Sequence, residues 1–166
     1  MNYKSVLACI AALAMTGPAF AQASDDLRGT WAMQVGDRNL VVLTLQGEPS
    51  QLTGTLQRPM GVVFGPSTSA GTRVSQVKMP LFAVQAREVR TSATGRVLAL
   101  QYETNAAGEV LIRSDGRGGL RLGFSAEAPE SSLLPMIRAD SAASVATDWE
   151  PEQTYLVRAP TETSNA

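Results

Sequence analysis

The residues able to do chemistry in this chain are few. None of its 166 residues is a histidine, and Cys9 is its one cysteine. Without histidine there is no Ser-His-Asp or Cys-His triad, and the usual nitrogen ligands of zinc, copper and non-haem iron are missing. Ser75-Gln76-Val77-Lys78 fits the Ser-x-x-Lys spacing of penicillin-recognising enzymes. That chemistry needs a helix to set Ser75 beside Lys78. This segment alternates like a strand, which sends residues i and i+3 to opposite faces.

The stretch Gly65-Pro66-Ser67-Thr68-Ser69-Ala70-Gly71-Thr72 shares only its glycines with a phosphate loop. Read as a nucleophile elbow, it has Ser69 where the second glycine is needed. Asp115-Gly116-Arg117-Gly118-Gly119 offers one carboxylate, whereas calcium takes about six or more oxygens, so it reads as a tight hairpin turn. Glu88 and Glu103, near the ends of expected strands, are the candidates for a glycosidase-like pair of acids. Aromatic residues make up only 5% of the chain, too few for the platforms of a sugar cleft. The expectation is therefore a non-enzyme with no catalytic residues, no metal and no cofactor.

The N-terminus carries an export pattern. Lys4 is followed by an apolar run over residues 6–15, then Thr16-Gly17-Pro18 and the small-x-small site Ala19-Phe20-Ala21. The run is roughly half of the ~20 residues a membrane span needs. A signal peptide over residues 1–21, cleaved before Gln22, is expected, and with it a periplasmic or extracellular location. Cleavage removes Cys9, so no disulfide framework is available and stability must come from a packed core. It also removes Lys4, one of 14 basic residues set against 15 acidic ones. No basic excess remains to collect phosphates, which argues against nucleic acid.

Short runs of period two then follow one another. Trp31, Met33 and Val35 alternate. Leu40 to Leu45 is apolar on both faces; Leu52, Gly54 and Leu56 alternate with threonines and a glutamine. Leu98, Leu100 and Tyr102 share a face, as do Leu120, Leu122 and Phe124. Such runs between Gly, Pro, Asp and Asn turns mark an all-β fold. The expected architecture is one antiparallel barrel of about eight strands, or a closely related sandwich, over residues 22–158. Residues 60–72, uncharged and rich in Gly, Ser and Pro, read as a long loop or flap over one end. Residues 74–89 read as two strands meeting near Pro80. A short helix is expected at residues 140–146 with Asp140 as its N-cap, and a disordered tail at 159–166. Strands of mostly 5–7 residues fall short of the about 9–11 of an outer-membrane barrel, so no membrane span is expected.

Gly29-Thr30-Trp31, opening the first strand of a small exported β-protein, resembles the Gly-x-Trp of lipocalin-like barrels. The resemblance implies an eight-stranded barrel with Trp31 closing its floor and an arginine from the last strand, Arg158, packed across it. Two roles are open for such a domain. The first is binding a small apolar ligand in the barrel, with Leu43, Leu45, Leu98, Leu100, Tyr102, Leu120, Leu122 and Phe124 as candidate lining. The second is docking another envelope protein on a barrel whose core is filled.

Overall fold

The computed structural model describes residues 26–92, 94–102, 107–150 and 153–158. The expected signal segment, Cys9, Glu103 and the expected tail lie outside the described residues. Among those described, the alternating runs form β1 (Gly29–Val35), β2 (Arg38–Glu48), β3 (Gln51–Thr68), β4 (Gly71–Ser92) and β5 (Gly95–Gln101). They continue as β6 (Ala107–Ser114), β7 (Leu120–Gly123), β8 (Leu134–Arg138) and β9 (Tyr155–Val157). Each of the first seven pairs antiparallel with the next, and β8 pairs back onto β1 through Trp31↔Arg138 and Ala32↔Ile137. Eight strands thus close in a ring and leave no open edge in the wall. The ring is uneven, because β7 has 4 residues and β4 has 22.

Period-two alternation decides what faces inward. Trp31, Met33, Leu43, Leu45, Leu52, Leu56, Leu98, Leu100, Ile112, Leu120 and Leu122 are buried in one apolar cluster. Thr53, Thr55, Gln57, Gln85, Arg87, Glu109 and Arg121, at the alternate positions, face out. A barrel of eight strands is only just wide enough for side chains to fill, and apolar side chains from all eight strands fill this one, with leucines from β2, β3, β5, β7 and β8. Gly54 is required where β2 and β3 press together, because a Cβ there would lie 1.9 Å from the Thr44 carbonyl oxygen.

One end of the barrel, the floor, holds Gly29 and the turns after β2, β4 and β6. The other end, the mouth, holds the β1–β2 turn. Beyond Val42↔Gln57 and Gln85↔Gln101 the pairing with β2 and β5 stops, but β3 and β4 run on together as far as Thr68↔Gly71. Residues 60–72, expected as a loop, are therefore mostly paired backbone. Their glycines and prolines mark irregularities instead: the β3–β4 register shifts between Pro59 and Gly61, between Gly61 and Val63, and between Phe64 and Ser67. Bulges bend the strands that carry them. This hairpin bends across the mouth, where Val62, Phe64, Val74 and Val77 join the main core. Residues 74–89 are accordingly one strand with Pro80 inside it, where two were expected.

No helix forms at residues 140–146. Asp140 does accept the Ala142 N–H at 2.8 Å, as an N-cap would. Asn39 then takes the chain over, its side chain donating to the Ser144 carbonyl and its carbonyl accepting the Ala146 N–H. Val145 is buried on the outer wall with Ala32 and Val42. A run this short has too little helical stability of its own to resist those contacts. Glu130–Ser132 forms a single 3-10 turn.

Candidate functional site

The floor is closed by paired groups. Trp31 is buried, and its indole N–H donates to the Leu27 carbonyl at 2.8 Å. The guanidinium over its ring, 4.3 Å from the centroid, belongs to Arg138 of β8. Arg138 also donates to the carbonyls of Arg28 and Asp26. The expected partner, Arg158, instead follows β9 and is exposed at the mouth, because β9 pairs with the start of β4 (Thr72↔Val157) rather than with β1. Beside Arg138, hydrogen bonds from the Arg28 side chain and backbone hold Asp26 at about 2.

Glu88 reaches the same end from β4 and is only 7% exposed. Its carboxylate accepts the Leu52 N–H at 3.0 Å, the Thr91 hydroxyl at 2.7 Å and Arg96 at 3.1 Å. Burial pushes its pKa up, but these donors outweigh that and hold it below the ordinary value of 4.5. It accepts the N–H of Leu52, one residue before the β3–β4 ladder begins at Thr53↔Arg87, and its geometry is that of a structural acid. Asp115 is likewise structural. It accepts the N–H groups of Arg117 and Gly119, both at 2.8 Å, in the turn between β6 and β7. Ser75 and Lys78 lie on either side of a bulge where Gln76 has a φ of 55°, and Lys78 is exposed against Gly61. No group of three or more Cys, Asp or Glu residues able to hold a metal occurs among the described residues.

The mouth is built differently. Continuing the β3 alternation Leu52, Gly54, Leu56 by one step places Arg58 on the inward face. Its guanidinium lies 5.1 Å from the Phe82 centroid and 5.3 Å from that of Phe124. Phe64 stacks on Phe124 at 5.3 Å, and Phe82 tilts against Tyr102 at 6.0 Å. All four rings pack on the core and keep part of their surface open. The Arg58 Nε is buried without a hydrogen-bond partner. The arrangement is a cation held among aromatic faces at the foot of the bent hairpin.

Two of the candidate lining residues, Tyr102 and Phe124, thus meet at the mouth. The other six, Leu43, Leu45, Leu98, Leu100, Leu120 and Leu122, are buried in the filled core below. Arg58, Phe64 and Phe82 were not singled out in the sequence. The signal for Arg58 was available, since one more step of the alternation turns a charge inward.

A clasp holds the far end of the hairpin. Thr72 to Val74 pair with β9, and β9 also touches β1. Trp149 meets Tyr155 edge-on at 5.0 Å, and Arg38 stacks 4.5 Å over Trp149 while its guanidinium stays 3.4 Å from Asp148.

A groove of about 490 Å³ also opens on the outer wall. Its apolar side is made by Val97, Leu111 and Leu133. Its cations are already engaged, Arg113 with Glu130 and Arg90 with Glu109. The mouth, where a charge stands unpaired, is the better candidate site. Compared with known proteins, the chain matches no family model, no curated protein and no solved structure.

Proposed function

We propose that this is a non-catalytic, exported β-barrel protein that binds a small apolar molecule at the mouth of its barrel. The observation that carries the reading is the group of partly open rings, Phe64, Phe82, Tyr102 and Phe124, gathered beneath a bent hairpin. Ligand sites are typically concave, apolar and furnished with a few placed polar groups. The filled interior limits such a ligand to the mouth. The outward Thr53, Thr55, Gln57, Gln85 and Arg87 of β3 and β4 suit water better than lipid, and no helix among the described residues is long and apolar enough to cross a membrane. Export rests on the sequence of residues 1–21, and intact mass of secreted material should give a chain beginning at Gln22.

The test is a fluorescence titration of the purified protein with the neutral dye N-phenyl-1-naphthylamine. Saturable one-to-one binding that weakens in Phe124→Ala and Phe82→Ala is expected. A signal that rises linearly without saturation would sink the reading. A second role, docking another envelope protein, draws on a separate observation. Met60, Val63 and Met79 are exposed on the hairpin, Met60 by 59%, and exposed apolar groups on a soluble domain often mark partner contacts.

A further inference from the structure

Two buried side-chain N–H groups among the described residues have no hydrogen-bond partner, Trp149 Nε1 in the clasp and Arg58 Nε at the mouth, and only the second belongs to a charged group. Five arginines among the described residues are half-buried: Arg38, Arg58, Arg96, Arg113 and Arg121. Four of them have a carboxylate oxygen within 4 Å: Asp148 for Arg38, Glu88 for Arg96, and Glu130 for both Arg113 and Arg121. Arg58 has none. Its Nε is shut off from solvent with no acceptor, and its neighbours are Phe82 and Phe124. Aromatic faces attract a cation, but they accept an N–H only weakly, less well than water or a carboxylate does. Buried donors in proteins are almost always satisfied, so an exception in a charged group needs an explanation. Position makes the same point. Arg58 stands on the inward face of β3, where the filled core ends and the open rings begin, with its charged end among them.

We propose that the ligand at the mouth is an amphipathic carboxylate whose head pairs with Arg58 and whose apolar body lies against the rings. The proposal rests on the reading of the mouth as a ligand site. A guanidinium presents its N–H groups as a planar fork that matches a carboxylate bidentately, which a lysine cannot do. A carboxylate on the open N–H groups of the guanidinium would set against it the opposite charge that the rings do not supply. The four rings suit a flat or chain-like apolar body.

The experiment is calorimetric titration of the purified protein with decanoate and with 1-decanol, which share a chain and differ in charge. Decanoate should bind about tenfold more tightly at low salt, the range expected for a charge-assisted pair in a partly dry site. In Arg58→Met, which keeps an apolar stem, that ratio should fall to near one. Arg58→Lys, the variant to use if methionine prevents folding, should give an intermediate ratio, since it keeps charge without the fork. Arg87→Met, on the outer wall, should leave the ratio as in the parent. Equal binding of both ligands to the parent overturns the anion proposal while the mouth stands as an apolar site. A ratio unchanged by both Arg58 variants also overturns it, by placing the head elsewhere. Failure of both ligands and of the neutral dye overturns the mouth reading and the proposal with it.

Discussion

The two ends of this barrel each carry an arginine against aromatic rings, and the pair differ in what else they touch. At the floor, Arg138 stacks over Trp31 and gives its N–H groups to the Arg28 and Asp26 carbonyls. Nearby, Glu88 is matched by Arg96, Thr91 and a backbone N–H. At the mouth, Arg58 has rings and no acceptor for its Nε. The same residue type in similar company closes one end and leaves the other unfinished. Stability and binding pull apart here: the floor spends its polar groups on itself, whereas the mouth keeps one available.

Substitutions at the floor should therefore cost far more than matched ones at the mouth. The largest loss is expected for Trp31→Ala, about 3–5 kcal/mol from lost burial and the cavity left behind. Urea unfolding would measure it. Adding Arg138→Ala to Trp31→Ala should cost less than the sum of the two single changes, since their contact can be broken only once. Arg158→Ala should be additive with Trp31→Ala, and a measured coupling between those two would contradict the floor described here.

Next comes Glu88→Gln, with an expected loss of about 1–3 kcal/mol at neutral pH because Arg96 and its neighbours lose a charged acceptor. The sign of its pH dependence is fixed by the direction of the shift. A carboxyl held below its ordinary 4.5 contributes fully above that pH. The contribution is lost as pH falls through the lowered folded value. Unfolding midpoints taken from pH 6 down to pH 3 should fall less in Glu88→Gln than in the parent, and parallel curves would remove Glu88 from the account of the floor.

Gly71→Ala tests the clasp. Gly71 has a φ of 130°, and a Cβ there would lie 2.2 Å from the Val157 carbonyl oxygen. A cost of about 1–3 kcal/mol is expected from the strained backbone conformation. Faster hydrogen exchange should accompany it over residues 58–82, with the ladders around Trp31 unchanged. Uniform acceleration along the whole chain would mean that mouth and floor open as one. The smallest effect should belong to Arg58→Met. Replacing an unmatched, partly buried charge by an apolar side chain of similar reach is expected to stay within about 1 kcal/mol of the parent, or to stabilise. A loss as large as that of Trp31→Ala would show that Arg58 is a structural keystone and would erase the contrast between the two ends.

How much of this could be read in advance follows from the range of the interactions. The wall was legible, because period-two alternation at Leu43–Leu45, Leu98–Leu100 and Leu120–Leu122 is local and survives in the closed ring. So was the turn at Asp115, where one side chain satisfies its own loop. The bent hairpin was not, because glycine, serine and proline mark both loops and bulges, and pairing such as Phe64↔Val74 is not written in composition. The partner of Trp31 was missed for a related reason. Chain order suggested that the last strand closes the floor, but β8 does so, and β9 crosses to the mouth to pair with β4. The helix expected at residues 140–146 gave way to Asn39, whose position more than a hundred residues earlier no local pattern can see. Two of the four rings of the candidate site, Tyr102 and Phe124, were in view. Arg58 was one alternation step beyond the point where the β3 pattern was followed.

The strand β4 serves two structures at once. Its residues from Gln85 to Ser92 are wall, paired to β5, and its first residues, Thr72 to Val74, belong to the clasp with β9. The hairpin tip at Ser69–Ala70 lies outside both registers. Residues can be gained or lost at the Ser69–Ala70 tip without shifting any wall residue from inside to outside, because wall register is set below Gln57 and Gln85. A Gly-Ser pair inserted between Ser69 and Ala70 should thus leave the unfolding midpoint nearly unchanged, and a large drop would show that arm and wall are not separable. The barrel then acts as a fixed chassis with an adjustable boom, and the reach of the boom sets the headroom over the rings without any change to the machine beneath it.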